Sequence, residues 1–139
     1  MNGPITKPAV PTSFWVIAAI SLLWNAFGAC LYVMSSMGSA KLMASVPPEM
    51  KAYMATMPVW AHAGWAFGIW GSFAGSVLLL MRSRHAVTAF LVSLVGAIVS
   101  YAAQAMAGVL SPAEPIMILA VIGAQLWYAR SAANKGYLA

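Results

Sequence analysis

The long gaps between charged residues are the feature that most constrains the fold of this 139-residue chain. Only seven Lys and Arg and two Glu residues occur, and the four longest gaps between them hold 33, 30, 29 and 15 residues without a formal charge. A helix needs about 20 apolar residues to cross a hydrocarbon core of about 30 Å. The first three gaps exceed this length, and the fourth reaches it when the neutral residues beyond Arg130 join it. The chain is therefore predicted to cross a membrane four times.

The fold class predicted from this pattern is all-α, a four-transmembrane-helix bundle. Membrane-spanning strands would alternate apolar and polar residues over about 9–11 positions, whereas the apolar character here is continuous. The predicted spans are about 13–36, 58–81, 86–110 and 115–131, and together they form a single integral membrane domain over residues 1–139. Residues 1–12 contain three prolines and are predicted to be an irregular tail.

The segment between the first two spans, residues 37–57, is the one sizeable loop in this scheme. Pro48 and Glu49 are typical of a helix start, because an acid is favourable near the positive end of the helix dipole. Met50, Met54 and Met57 then follow at helical spacing. The loop is predicted to carry a short helix that lies in the membrane interface.

The distribution of basic residues predicts the orientation. Four spans place both termini on one side, which then carries five Lys and Arg residues against two on the other side. The positive-inside rule therefore puts both termini in the cytoplasm. Because the basic residues are scattered at span ends and form no single stripe, a nucleic-acid partner is excluded. The lipid bilayer is the expected partner.

Small residues in the second and third spans predict how the helices pack. Glycines in the second span recur at steps of four, three and four, so they share one helix face. Three small residues in the third span, spaced three and four, are the natural complement, since glycine lets another backbone approach closely. A second protomer is the alternative partner for this face. The predicted packing residues are Gly64, Gly68, Gly71, Gly75, Ser93, Gly96 and Ser100.

Few polar side chains fall inside the spans, and they are the candidate binding residues. Amides in this position usually bridge helices, and each such bond contributes about 0.6–2 kcal/mol. The functional alternative is a pocket in which amides and an aromatic face bind a small neutral polar solute. The residues proposed for it are Trp24, Asn25, Gln104 and Gln125, with Tyr101 and Tyr128 as further candidates.

The residues that are missing from the spans argue against other functions. Proton-coupled antiporters depend on charged residues deep in the membrane, and the predicted spans contain none. No arrangement of nucleophile, base and acid has support, so the chain is not expected to be an enzyme. His62 and His85 fall at opposite ends of the bundle and cannot ligate one haem iron. The methionine-rich loop could bind Cu(I), but methionine is also an ordinary apolar helix residue. No metal or other cofactor is expected.

Three runs of the chain, with their flanks, are distinctive: Trp24-Asn25-Ala26-Phe27-Gly28, Met57-Pro58-Val59-Trp60 and Trp127-Tyr128-Ala129-Arg130. They resemble a family of small four-span bacterial inner-membrane proteins, which are uncharacterised or loosely described as sugar transporters. The resemblance implies an inner-membrane location and transport of a sugar-like solute, and it carries over no binding residues. Four spans are few for a transporter, so a homo-oligomer is expected. The alternative is an accessory or structural subunit of a larger membrane complex.

Overall fold

The computed structural model describes residues 9–139, and it contains six helices and no strand within that range. The predicted irregular tail lies mostly outside the described residues, and its described part, residues 9–11, is not helical. In chain order the helices are α1 (Thr12–Ser36), α2 (Ala40–Met43), α3 (Pro48–Thr56), α4 (Val59–Leu80), α5 (His85–Ala107) and α6 (Ala113–Asn134).

Four of these helices, α1, α4, α5 and α6, are long and apolar enough to cross a membrane. The predicted all-α bundle with four spans is therefore confirmed. The chain between α1 and α4 folds into the short helices α2 and α3, and α3 begins at the Pro48 predicted to start a helix.

The last two spanning helices have ends that differ by a few residues from the predicted spans. The third helix ends at Ala107 and not near Leu110, because Gly108 adopts a left-handed conformation with φ 75° and caps it. The fourth helix begins at Ala113 and continues to Asn134, so it has 22 residues. Glu114 does not end a span, because an acid is favourable in the first turn of a helix and proline is tolerated there.

The helices α4 and α5 pack closely because small residues line both sides of their contact. A Cβ atom added to Gly96 would lie 2.7 Å from the Gly64 carbonyl oxygen and 2.7 Å from the Gly68 nitrogen. A Cβ atom added to Gly71 would lie 3.0 Å from the Ser93 nitrogen. At these positions backbone meets backbone, and a larger side chain would separate the two helices. Gly64, Gly68 and Gly71 thus lie against α5 at its small residues, whereas Gly75 lies against the ring of Phe90.

The other two spans pack on the outside of this pair, α1 against α4 and α6 against α5. All four meet at the end of the bundle that carries the start of α1 and the end of α6, which we call the closed end. Its buried core consists of Phe14, Ala18, Leu79, Ala86, Phe90, Ala129, Ala132 and Leu138.

The last residues of the chain are fastened to the turn between α4 and α5 at the closed end. Ala139 donates its N–H to the Arg82 carbonyl at 2.8 Å, and its own oxygen accepts from the Arg84 N–H at 2.9 Å. Arg82 also donates from Nε to the Tyr137 carbonyl at 2.8 Å. Arg82 has a φ of 56°, a conformation that costs about 1–2 kcal/mol outside glycine. These hydrogen bonds offset that cost and hold Leu138 in the core.

Candidate functional site

A cavity of about 420 Å³ lies among the four spanning helices, in the half of the bundle away from the closed end. Its walls come from the second half of α1, the first half of α4, the second half of α5 and the first half of α6. Its floor is formed by the lining residues nearest to the closed end, Asn25, Ser72, Ala97 and Ile122. Its size falls within the range of about 300–1,000 Å³ that is typical of small-molecule sites.

The polar part of the floor is a hydrogen-bonded seam between α1, α4 and α5. Asn25 is buried and donates both amide hydrogens to α4, one to the Ser72 carbonyl at 3.0 Å and one to the Ser76 hydroxyl. Ser93 donates its hydroxyl hydrogen to the Gly68 carbonyl at 2.6 Å and contacts the Ser72 hydroxyl. Because the Ser93 hydrogen is already used, Ser72 is the donor in that contact. The seam therefore fixes α1 to α4 and α4 to α5.

Aromatic side chains form a wall of the cavity between α1 and α4. The rings of Tyr32 and Trp65 lie with centroids 4.6 Å apart, and both residues line the cavity. The Tyr32 hydroxyl is 3.0 Å from Nε2 of His62. This contact joins α1 to α4 near the end of the bundle that carries the loop between them. Trp24 also lines the cavity and is 42% exposed. The wall offers flat apolar faces whose edges can form hydrogen bonds.

A carboxylate stands at the mouth of the cavity. Glu114, in the first turn of α6, is exposed and lines the opening. Tyr101 of α5 donates its hydroxyl to Glu114 Oε1 at 3.5 Å, a long hydrogen bond. This is the one charged group among the described residues that line the cavity.

The structure brings together three of the four candidate binding residues. Trp24, Asn25 and Gln104 all line the cavity, as does the further candidate Tyr101. Gln125 lies on the buried face of α6 about one turn beyond Ile122, towards the closed end, and is outside the lining. Its Oε1 atom is buried and has no hydrogen-bond partner among residues 9–139.

The other further candidate, Tyr128 on α6, does not line the cavity. Its ring lies at the closed end, with its centroid 6.3 Å from that of Phe14. The lining also includes residues outside the candidate set, among them Tyr32, Trp65 and Glu114. Glu114 stands just before Pro115, a position that is a signal of a helix start. The sequence allows Trp65 either to pack around the glycine face or to form a flat aromatic wall for a ligand, and in the structure it lines the cavity.

No group of three or more His, Cys, Asp or Glu side chains that could hold a metal ion occurs within residues 9–139. Comparisons with protein-family models, with curated proteins and with solved structures found no match for the chain. The fold and the apolar spans define the class directly, and this is a multi-pass all-α membrane protein in contact with the lipid bilayer.

Proposed function

We propose that this protein binds a small polar solute in the cavity and carries it across the membrane. The observation that carries the proposal is the lining itself, in which aromatic faces stand beside amide groups at a site of small-molecule size. The sequence indicates a neutral, sugar-like solute, as does its resemblance to small bacterial inner-membrane proteins. Passage would require the closed end to open, since its core and the fastened chain end block the way from the floor.

The pathway is expected to involve more than one copy of the chain. The helices α1 and α6 flank the cavity but are not packed along their length as the other neighbouring helices are. The side of the cavity between them would be covered by a second copy in a homo-oligomer, which supplies the walls that four spans alone do not. In the proposed bacterial inner-membrane orientation both termini are cytoplasmic, and the cavity opens to the outside.

Flux into proteoliposomes tests this function. The purified chain would be reconstituted, and the entry of a labelled hexose, a polyol and a small amine would be measured against protein-free vesicles. We expect at least one of these solutes to enter faster with protein, and we expect Trp24→Ala to slow that entry about tenfold or more by removing a lining face.

Trp127→Ala is the matched control, because Trp127 is 69% exposed on α6 and lies outside this cavity. It should leave the flux unchanged. Equal effects of the two substitutions, or flux no faster than in empty vesicles for every solute, would contradict the proposal.

One observation favours a second candidate, an accessory or structural subunit of a larger membrane complex. The large side chains of Ile20, Leu23 and Phe27 are exposed at helical spacing along α1, which gives a stripe suited to another helix as well as to lipid. Purification from its native membrane distinguishes the two. A second protein at fixed stoichiometry supports the subunit, whereas a homogeneous assembly of this chain alone contradicts it.

A further inference from the structure

The described residues that line the cavity carry charge of one sign only. Among the described residues that line it, Glu114 supplies a negative charge and no Lys, Arg or His supplies a positive one. Glu114 stands at the mouth, where a solute first meets the protein. A cleft with one sign of charge and apolar walls raises the local concentration of ligands of the opposite sign.

The floor of the cavity offers acceptors and few donors. Both amide hydrogens of Asn25 are donated to α4, so Oδ1 is the polar atom that Asn25 has left for a ligand. The Ser72 hydroxyl hydrogen is likewise used within the protein, in its contact with Ser93. A solute that reaches the floor is therefore recognised through hydrogens that it donates itself.

Gln125 adds an independent observation of the same kind. It is only 8% exposed, and its Oε1 atom has no partner among the described residues. Gln125 lies about one turn beneath the floor, towards the closed end. A buried acceptor without a donor is costly, so a donor that reaches it from the floor would stabilise it.

The walls between mouth and floor are aromatic. Trp24, Tyr32, Trp65 and Tyr101 all line the cavity. The negative faces of such rings attract ammonium and guanidinium groups, and the attraction strengthens where water is excluded. A neutral sugar would use these faces as well, but it would gain nothing from the carboxylate at the mouth.

We propose that the solute is a small organic cation that carries N–H donors, such as a primary amine. Glu114 draws it to the mouth, the aromatic wall holds its charge, and acceptors at the floor, such as Asn25 Oδ1, receive its hydrogens. This inference rests on the proposed function, the binding and transport of a small polar solute. It assigns that solute to the organic cations, and not to the neutral, sugar-like class that the sequence indicates.

A matched pair of probes tests the charge directly. Phenethylammonium and 2-phenylethanol have nearly the same shape and differ in charge, and glucose serves as the third probe. Binding to the detergent-solubilised protein would be followed by tryptophan fluorescence and by calorimetry. We expect the ammonium to bind about tenfold or more tightly than the alcohol, an advantage typical of a cation beside a carboxylate and aromatic rings.

The two acidic residues of the chain provide the variant and its control. Glu114→Gln should weaken ammonium binding about tenfold and leave binding of the alcohol unchanged, whereas Glu49→Gln, on α3 and outside the cavity, should change neither. Thermal unfolding checks that each variant is folded. Equal affinity for ammonium and alcohol, tighter binding of glucose, or equal effects of the two Glu→Gln variants would overturn the inference while the proposed function stands. If no probe binds and no solute enters vesicles, the proposed function fails with it.

Discussion

The contact between α4 and α5 and the cavity among the four spanning helices are opposite solutions to helix packing in one bundle. Small residues line the first, and a Cβ atom on Gly96 would touch the backbone of α4. The second keeps a space of about 420 Å³, and aromatic and amide side chains of α1, α4 and α5 line much of it. The close contact is therefore the rigid scaffold of this bundle, and the space for a ligand lies beside it.

The largest expected effect is at the close contact. Gly96→Ala should destabilise the protein by about 1–3 kcal/mol, because the new Cβ meets backbone atoms that cannot move without separating the helices. Gly123→Ala, on α6, adds the same atom where nothing lies within 4 Å. It should leave stability unchanged or raise it by up to about 1 kcal/mol through helix propensity. Thermal unfolding in detergent compares the two, and a loss of the same size in both would contradict the scaffold assignment.

The two buried amides should respond oppositely to one substitution. Asn25→Leu removes both bonds to α4 and should cost about 1–2 kcal/mol. Gln125→Leu removes an acceptor without a partner in the described chain and should be neutral or stabilising by about 1 kcal/mol.

Unfolding of the ligand-free protein measures both changes under the same conditions. A similar loss in both variants would mean that Gln125 is held by structural hydrogen bonds and offers no free acceptor beneath the floor.

The smallest effect is expected at the aromatic wall. Tyr32→Phe removes the hydrogen bond to His62 but keeps the ring beside Trp65, so it should cost about 0.5–1 kcal/mol. Tyr53→Phe, on α3, is the control and should cost less. If Tyr32→Phe instead costs as much as Gly96→Ala, the wall belongs to the scaffold and not to the ligand site.

Hydropathy and periodicity were sufficient to predict the fold. The spans follow from uncharged length, and the spacing of the glycines placed them on one face. The sequence also places Asn25 near the middle of the first span. What a single sequence lacks is the rotation of α6. Packing of Ala129 and Ala132 at the closed end sets that rotation, and it turns Tyr128 away from the cavity and keeps Gln125 beneath it. Glu114 does not stand out in the sequence as a binding residue, because the charged residues of this chain lie at or beyond the ends of its apolar segments.

The contacts of residues 137–139 have a consequence for the order in which the bundle folds. Phe14 lies in α1, yet Tyr137, whose ring centroid is 6.0 Å from that of Phe14, follows α6 in the sequence. The α4–α5 hairpin can form from neighbouring segments, whereas the closed end brings together segments that are far apart in the chain. The hairpin is therefore expected to assemble first and the closed end last.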